Sequence, residues 1–134
     1  MFNKFKILNY NRFSEKSGTL IPFYSDKSFP KNFIIKRFFI LYGKKEFSRA
    51  DHAHKKTTQI IIPIKGKIKL TIFYNNKKKV IVLEANKNKA LYIPPYHWLK
   101  INFKNNSDSL LTLCNYKYLK KEYILDFNNF KKIK

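Results

Sequence analysis

Apolar and polar residues alternate through the middle of the chain, and this pattern predicts a series of short β-strands. In residues 67–74 every second side chain is apolar, and lysines dominate the other face. Shorter apolar runs bounded by turn residues predict further strands. They cover residues 33–41, 59–64, 78–83, 90–93, 98–103 and 109–116. Asn75-Asn76 is the expected hairpin turn, because asparagine tolerates a positive φ.

The apolar spacing changes near the C-terminus. Tyr123, Phe127 and Phe130 fall at helical spacing, which predicts a short C-terminal helix within residues 118–130. Many short strands, with neither a Gly-rich phosphate loop nor alternating helices, favour an all-β sandwich or barrel. We expect a double-sheet jelly roll with an interior that can host a ligand. A chain of 134 residues is long enough for one core, so we expect a single domain over 1–134.

The formal net charge of +21 comes from 29 Lys and Arg against 8 Asp and Glu. The lysines are scattered between apolar residues, whereas a nucleic-acid module clusters its charge or uses stacking motifs. Lys, Asn, Ile, Phe and Tyr share AT-rich codons, so coding bias explains much of the charge. We therefore expect no nucleic-acid partner, and the charge fits a smaller anion such as a nucleotide or nucleotide-sugar.

Arginine is scarce and occurs only at positions 12, 37 and 49. A guanidinium binds phosphate through two parallel hydrogen bonds, which lysine cannot imitate. Arg37 also shares a strand face with apolar residues, where its charge is costly without an anionic partner. Arg37 and Arg49 are therefore candidate phosphate ligands.

Several features favour a soluble cytoplasmic protein. Every hydrophobic run is interrupted by Lys or Asn, so we expect no membrane partner, and the first residues lack the pattern of a signal peptide. The one cysteine, Cys114, lies in an apolar run, which predicts a buried and inert thiol.

His52 and His54 are the strongest candidates for chemistry, because side chains two residues apart point to the same face of a strand. Three interpretations are open: structurally bonded histidines, a metal site, or metal-free acid–base catalysis by two neighbouring imidazoles. Metal-binding jelly rolls of the cupin class use His-x-His with a following Glu and a later His. Here Gln59 stands where the Glu is expected, and His97 is not obviously in register. This ligand set lowers the odds of a metal.

At this point the sequence resembles the dTDP-sugar 3,4-ketoisomerases, which are WxcM-like cupins, over nearly all the chain past residue 17. The combination of two motifs makes the resemblance specific. The matching segments are Gly18-x-Leu20, Ile35-Lys36-Arg37, Arg49-x-x-His52-Ala53-His54-Lys55 followed by Gln59, Leu91-Tyr92-Ile93-Pro94-Pro95-x-x-Trp98, and Tyr123-Ile124 with Asp126-Phe127.

The resemblance implies a cupin-type jelly roll and an isomerase that needs no metal or other cofactor. The two histidines then move a proton from C3 to C4 of a dTDP-4-keto-6-deoxyhexose through an enediol. Either histidine can be the carbon base, and we expect His54 in that role with His52 as its partner in proton shuttling. The implied substrate-binding residues are Arg37, Arg49, Lys55, Gln59 and Trp98. The resemblance also implies a homodimer with exchanged N-terminal strands, and a place in the biosynthesis of a 3-amino-3,6-dideoxy sugar, as in lipopolysaccharide O-antigen.

Some positions depart from the family pattern. Arg49-Ala50 stands where the family usually has Arg-Gly, and Ser17 and Leu99 lie where polar or charged residues are common. These differences leave open whether C4 of the product has the gluco or galacto configuration. Two other functions also stay open, namely a nucleotide-sugar-binding cupin without turnover and a metal-dependent cupin enzyme.

Overall fold

The computed structural model describes residues 2–133, and its regular secondary structure consists almost entirely of short strands. Eleven strands are followed by one 3-10 turn, a twelfth strand and one helix. The strands are β1 Lys6–Asn9, β2 Phe13–Glu15, β3 Gly18–Leu20, β4 Arg37–Tyr42, β5 Ser48–His54, β6 Gln59–Lys65, β7 Lys67–Tyr74, β8 Lys77–Glu84, β9 Lys89–Ile93, β10 Trp98–Phe103, β11 Ser109–Cys114 and β12 Tyr123–Ile124. The 3-10 turn is Lys120–Glu122, and the helix α1 is Phe127–Lys132.

The strands form two five-stranded sheets and one small hairpin. The first sheet has the order β1-β9-β6-β11-β4, and the second has the order β12-β5-β10-β7-β8. Strands β2 and β3 pair with each other. All of these pairings are antiparallel. The predicted all-β cupin-type jelly roll of two sheets with a short C-terminal helix is confirmed.

The alternating segments were predicted best. Strands β7 and β10 have the predicted bounds. The strand predicted over residues 33–41 begins only at Arg37, because its partner β11 ends at Cys114, which pairs with Arg37. The chain turns shortly before this segment, at Asn32 (φ 70°). There the Phe33 amide donates to the Pro30 carbonyl at 3.0 Å. The unpatterned first sixteen residues nevertheless contribute β1 and part of the β2–β3 hairpin.

The main hydrophobic core lies between the two sheets. It contains Ile61, Ile68, Leu70, Ile72, Leu83, Leu91, Ile93, Leu99, Ile101, Phe103 and Leu110. A second cluster, which includes Ile60, Ile62 and Tyr92, covers the opposite face of the first sheet. Strand β6 is therefore buried on both faces, which explains its uninterrupted apolar sequence. Cys114 is fully buried as predicted, and burial raises the pKa of its thiol.

Asparagine occupies most of the left-handed turn positions. Five of the nine non-glycine residues with positive φ in residues 2–133 are asparagines, including Asn75 (φ 51°) and Asn76 (φ 60°) in the β7–β8 hairpin. Two successive positive φ values define the type I′ turn that matches the twist of a hairpin. The predicted turn is confirmed. Among residues 2–133 no helix is both long and apolar enough to cross a membrane.

Candidate active site

The two histidines lie at the end of β5 with their rings in contact. The His52 and His54 ring centroids are 4.8 Å apart and the planes are perpendicular. Their Nε2 atoms are separated by 3.2 Å. The sequence predicted this shared face, and the structure adds that both rings also pack against Tyr123 of β12.

A β-bulge just before the pair sets its orientation. Leu99 pairs with His52 and Lys100 with Ala50, so Asp51 is the extra residue on β5. Ala50 and Asp51 both have left-handed backbones, with φ of 68° and 54°. The bulge turns the Ala50 carbonyl toward the imidazole, and His52 Nδ1 lies 2.9 Å from that oxygen.

The backbone at Ala50 predicts that Ala50→Gly stabilises the protein. A non-glycine residue in this region costs about 1–2 kcal/mol, and glycine recovers that cost but loses about 0.5–1 kcal/mol through its freer unfolded chain. We expect the free energy of unfolding to rise by roughly 0.5–1 kcal/mol in urea titrations. The matched control is Ala53→Gly, a buried position of the same strand outside the positive-φ set. It should lose about 1 kcal/mol or more. Equal losses in both variants would contradict the strain at Ala50.

Glu122 contacts His54 at Nδ1, on the side of the ring away from His52. Its Oε2 atom lies 2.5 Å from His54 Nδ1, and its Oε1 atom accepts the amide N–H groups of Lys56 (3.0 Å) and Thr57 (3.1 Å). Glu122 is 2% exposed. Burial acts to raise the pKa of this carboxyl group, but the hydrogen bonds from His54, Lys56 and Thr57 lower it overall.

Burial makes both imidazoles weak bases on their own. For His52, burial and the neighbouring His54 lower the pKa to about 4. For His54, burial lowers the pKa, and the Glu122 carboxylate opposes part of that lowering. A neutral His52 is therefore available near neutral pH as a proton acceptor.

The lowered pKa of His52 predicts a loss of stability in mild acid. Between pH 6.5 and 4 the unfolded chain binds a proton at His52 that the folded protein does not, so the free energy of unfolding falls as the pH is lowered. A shift from 6.5 to about 4 limits this loss to roughly 3 kcal/mol. Urea unfolding at several pH values and constant protein concentration measures it. His52→Asn should flatten the profile in this window, and an equally steep profile in the variant would contradict the assignment.

The His pair adjoins a cavity of about 280 Å³ between the sheets. This size lies at the lower end of small-molecule sites. Only His52 of the pair is among its lining residues. The polar groups that line it are Arg37, Arg49, His52, Gln59, Thr112 and Tyr123. Arg37, Gln59 and Tyr123 come from β4, β6 and β12, so the fold brings them together from distant parts of the chain.

Arg37 lies across the cavity in a setting that fits an anion. The register aligns Arg37, Cys114 and Gln59 on neighbouring strands, and Arg37 Nη2 and Gln59 Nε2 lie 3.7 and 3.8 Å from the Cys114 sulfur. Arg37 Nη2 also donates to the Tyr123 hydroxyl at 3.4 Å. Its Nε atom is buried and has no hydrogen-bond partner within residues 2–133. Buried donors are nearly always paired, so this nitrogen indicates a missing acceptor.

Two of the expected substrate-binding residues lie elsewhere. Trp98 packs against Phe127 and Phe130 of α1 on the opposite face of the second sheet, with ring centroids 5.1 and 5.7 Å away. Its neighbour Leu99 lines the cavity instead, because adjacent strand residues point to opposite faces. Trp98 is therefore not retained as a pocket residue. Lys55 is exposed and is not among the cavity residues.

Sequence reasoning missed Glu122 and the role of Tyr123. The only available signal was Tyr123-Ile124 in the family pattern, and it gave no reason to connect position 122 with His54, which lies 68 residues earlier. The structure connects them because β12 pairs with β5, placing Tyr123 opposite His54.

His97 does not join the pair as a third metal ligand. Its Nδ1 lies 3.0 Å from the Pro95 carbonyl, its Nε2 accepts the Phe5 amide at 3.2 Å, and its ring stacks on Tyr74 at 4.2 Å. Both ring nitrogens therefore already have partners. Residues 2–133 contain no group of three or more His, Cys, Asp or Glu side chains arranged to hold a metal ion.

Several known proteins resemble this chain over nearly its whole length. A TDP-4-oxo-6-deoxy-alpha-D-glucose-3,4-oxoisomerase from Aneurinibacillus thermoaerophilus is 27% identical over 128 residues, covering 95% of this chain and 90% of that protein. A 3,4-ketoisomerase from Helicobacter canadensis is 31% identical with a TM-score of 0.85, over 94% of this chain and 93% of the other. A TDP-fucose-3,4-ketoisomerase from Campylobacter jejuni is 34% identical with a TM-score of 0.78, over 96% and 93%.

The sequence model of one family matches residues 3–134. It covers almost the whole chain and confirms the resemblance seen in the motifs around His52 and Trp98. The chain therefore belongs to the family described as FdtA: WxcM-like, C-terminal.

Proposed function

We propose that this protein is a nucleotide-sugar 3,4-ketoisomerase that converts a dTDP-4-keto-6-deoxyhexose into the 3-keto isomer. The observation that carries this proposal is the pair of imidazoles beside a cavity that also holds two arginines. The similar proteins are 3,4-ketoisomerases by name, and their likeness covers nearly the whole chain. The reaction needs no oxidant, because one carbon is oxidised as its neighbour is reduced.

The reaction consists of proton transfers in two halves. Removal of the C3 proton places that electron pair in a C3–C4 double bond, and the carbonyl electrons move to O4, which takes up a proton. The resulting enediol then loses the O3 proton to form the C3 carbonyl, and C4 takes up a proton. Each half therefore requires one acceptor and one donor on the protein.

We assign His52 as the carbon base, which reverses the order expected from the sequence. His52 lines the cavity, whereas His54 lies behind it and is 6% exposed. The Ala50 carbonyl occupies His52 Nδ1, so Nε2 is the nitrogen that exchanges protons. His54 passes protons to and from this nitrogen across 3.2 Å. The Tyr123 hydroxyl, on the same cavity, serves O3 and O4.

The arginines position the substrate. Arg37 has an unpaired Nε atom at the cavity, and Arg49 lies exposed on the cavity rim. Bidentate contacts to the diphosphate would satisfy Arg37 and hold the sugar against the His pair. Gln59 lines the same space and orients the sugar. A cavity of about 280 Å³ is large enough for the sugar of the substrate, and the nucleotide would then extend toward the open side of the cavity.

The test is incubation with dTDP-4-keto-6-deoxyglucose in deuterated water, followed by NMR. An isomerase gives the 3-keto sugar, and any C3-derived proton that exchanges with solvent on the enzyme is replaced by deuterium at C4. A binding protein without turnover gives neither, although it still binds TDP in calorimetry. The configuration at C4 in the product separates a gluco from a galacto outcome.

A metal-dependent enzyme would lose its turnover after dialysis against a chelator and regain it with added metal.

We also propose that the protein forms a homodimer, with the β2–β3 hairpin exchanged between protomers. Two features support it. Edge strand β4 exposes Phe38 (67%), Ile40 (53%) and Tyr42 (70%), and the hairpin exposes Phe13 and Leu20. Exposed apolar edges are normally covered. Light scattering at micromolar concentration should give twice the protomer mass, and Ile40→Lys should give the monomer mass. A monomer in both cases would refute the dimer.

The product class suggests a cellular role. A 3-keto group next to a free C4 hydroxyl is the substrate that an aminotransferase needs to make a 3-amino-3,6-dideoxy sugar. We propose that the protein acts in the cytoplasm at this step of deoxysugar biosynthesis, for a glycan such as an O-antigen. Accumulation of the 4-keto precursor in a deletion strain would support this role.

A further inference from the structure

A continuous chain of hydrogen bonds runs from Glu122 through both histidines to the bulge. Its three contacts are Glu122 Oε2 to His54 Nδ1 at 2.5 Å, His54 Nε2 to His52 Nε2 at 3.2 Å, and His52 Nδ1 to the Ala50 carbonyl at 2.9 Å. Each contact requires one proton. Two neutral imidazoles supply only two, so the complete chain holds a third.

The ability of each atom in this chain to donate or accept a hydrogen bond determines which atoms carry the three protons. A carbonyl only accepts, so His52 Nδ1 carries a proton. The Glu122 Oε1 atom accepts two backbone N–H groups, from Lys56 and Thr57, which favours the ionised carboxylate. Its Oε2 then accepts from His54 Nδ1. Without a further proton, two bare Nε2 lone pairs would face each other at 3.2 Å.

The third proton leaves the buried group electrically neutral. A proton on His54 Nε2 makes that ring an imidazolium, and its charge cancels the Glu122 carboxylate. Burial lowers the pKa of His54, and the Glu122 carboxylate offsets only part of that lowering. The contact between the two Nε2 atoms at 3.2 Å nevertheless requires a proton, and the ionised Glu122 carboxylate leaves His54 as the ring that carries it. His54–Glu122 is also the single contact within 4.0 Å between a basic and an acidic side chain in residues 2–133, although the chain has 29 Lys and Arg residues. The other charged groups nearby are Arg37 on β4, which repels the proton, and Asp51 on β5, which attracts it.

We propose that Glu122 is a positioning residue that holds one shared proton on the His pair, making His54 the donor and His52 the acceptor. This assignment rests on the proposed isomerase function. In the first half-reaction the C3 proton arrives at His52 Nε2 while the shared proton leaves to O4 by way of the Tyr123 hydroxyl, which lies on the cavity and whose ring packs on both imidazoles. In the second half the O3 proton arrives while a proton leaves to C4. The pair therefore carries the same number of protons before and after each half, and the site remains neutral throughout.

Glu122→Gln tests this role with almost no change of shape. The Lys56 and Thr57 amides select the amide oxygen of Gln, which leaves its NH₂ group facing His54 Nδ1. That nitrogen must then accept, so His54 becomes a neutral ring with its proton on Nε2. The hydrogen bonds survive but the imidazolium is lost. We expect kcat to fall about 100-fold and KM to stay within about twofold. Replacing a hydrogen-bond partner that orients a functional histidine typically lowers activity 10–100-fold.

A control variant and an NMR measurement distinguish a proton-holding role of Glu122 from a purely structural one. Glu84→Gln removes an exposed carboxylate at the end of β8 and should leave kcat unchanged. In the free wild-type protein labelled with ¹⁵N-histidine, NMR near pH 7 should show both His54 nitrogens protonated, and only one in Glu122→Gln. His97 serves as the neutral reference, because its Nε2 accepts an amide. This measurement on the wild type stands even if the variant folds poorly.

The outcomes separate the two proposals. An active isomerase whose His54 carries a single ring proton, or whose Glu122→Gln variant keeps kcat within threefold, would overturn the role of Glu122 and leave the isomerase function intact. A doubly protonated His54 in a protein without isomerase activity would overturn the function and leave the proton assignment in place.

Discussion

Replacing His52 by Asn is expected to lower kcat about 1,000-fold, because the variant has no group at the cavity that can accept the C3 proton. General-base groups typically contribute 10²–10⁴-fold, and 10³ corresponds to about 4 kcal/mol in the barrier. Asn preserves a polar side chain of similar reach, so affinity for TDP should stay within about threefold. Single-turnover assays for the 3-keto product and calorimetry with TDP measure the two effects separately.

The control for this experiment is His97→Asn. His97 is more deeply buried than His52, at 2% exposed, but both of its nitrogens bond to backbone groups away from the cavity. Its replacement should reduce stability and leave kcat within a few-fold of the wild type. Turnover that survives in His52→Asn would remove His52 from the mechanism, and His54→Asn would then become the decisive variant.

Replacing Gly66 by Ala is expected to destabilise the protein by about 3–4 kcal/mol. Gly66 has φ of 79°, and an added Cβ would lie 2.0 Å from Asp108 Oδ1. Asp108 is 2% exposed and accepts the amides of Lys67 and Asn105, so it cannot move without leaving buried donors unpaired. The left-handed backbone costs about 1 kcal/mol and each lost buried hydrogen bond about 1–3 kcal/mol. The melting temperature should fall by roughly 10 °C.

Gly18→Ala is the control for backbone strain without a clash. Gly18 has φ of 143° in the β2–β3 hairpin, and an added Cβ would meet no atom within 4 Å. We expect a loss of about 1–2 kcal/mol there. The difference between the two variants measures the contact with Asp108. If Gly66→Ala lost no more than Gly18→Ala, the turn would have room that the structure does not show.

The sequence predicted the parts of the fold that depend on local patterns. Alternation fixed the bounds of β7, and a pair of asparagines fixed its turn. It also placed the two imidazoles together, because spacing by two residues is a local property of a strand. The start of β4 was predicted wrongly, because it depends on where the distant partner strand β11 ends, and no local pattern indicates that position.

The rest of the site depends on register and on long-range pairing. Whether Trp98 or Leu99 faces the cavity is decided by the register of β10 with β7, which pairs Leu99 with the core residue Ile72. The orientation of the histidines depends on the bulge in β5, and the sequence around Asp51 carries no sign of an extra residue. Glu122 reaches His54 only because β12 pairs with the end of β5. Such contacts join residues far apart in the chain, so composition and periodicity cannot reveal them.

The asparagine turns bear on how this protein changes over evolutionary time. Glycine codons are rich in G and C, and the chain retains just three glycines. Asparagine codons begin with AA, and asparagine adopts the left-handed backbone at small cost. A genome under pressure toward A and T can therefore exchange one for the other at reverse turns while the jelly roll persists. At Gly66 the crowded Asp108 blocks that exchange, so this position should resist nucleotide drift.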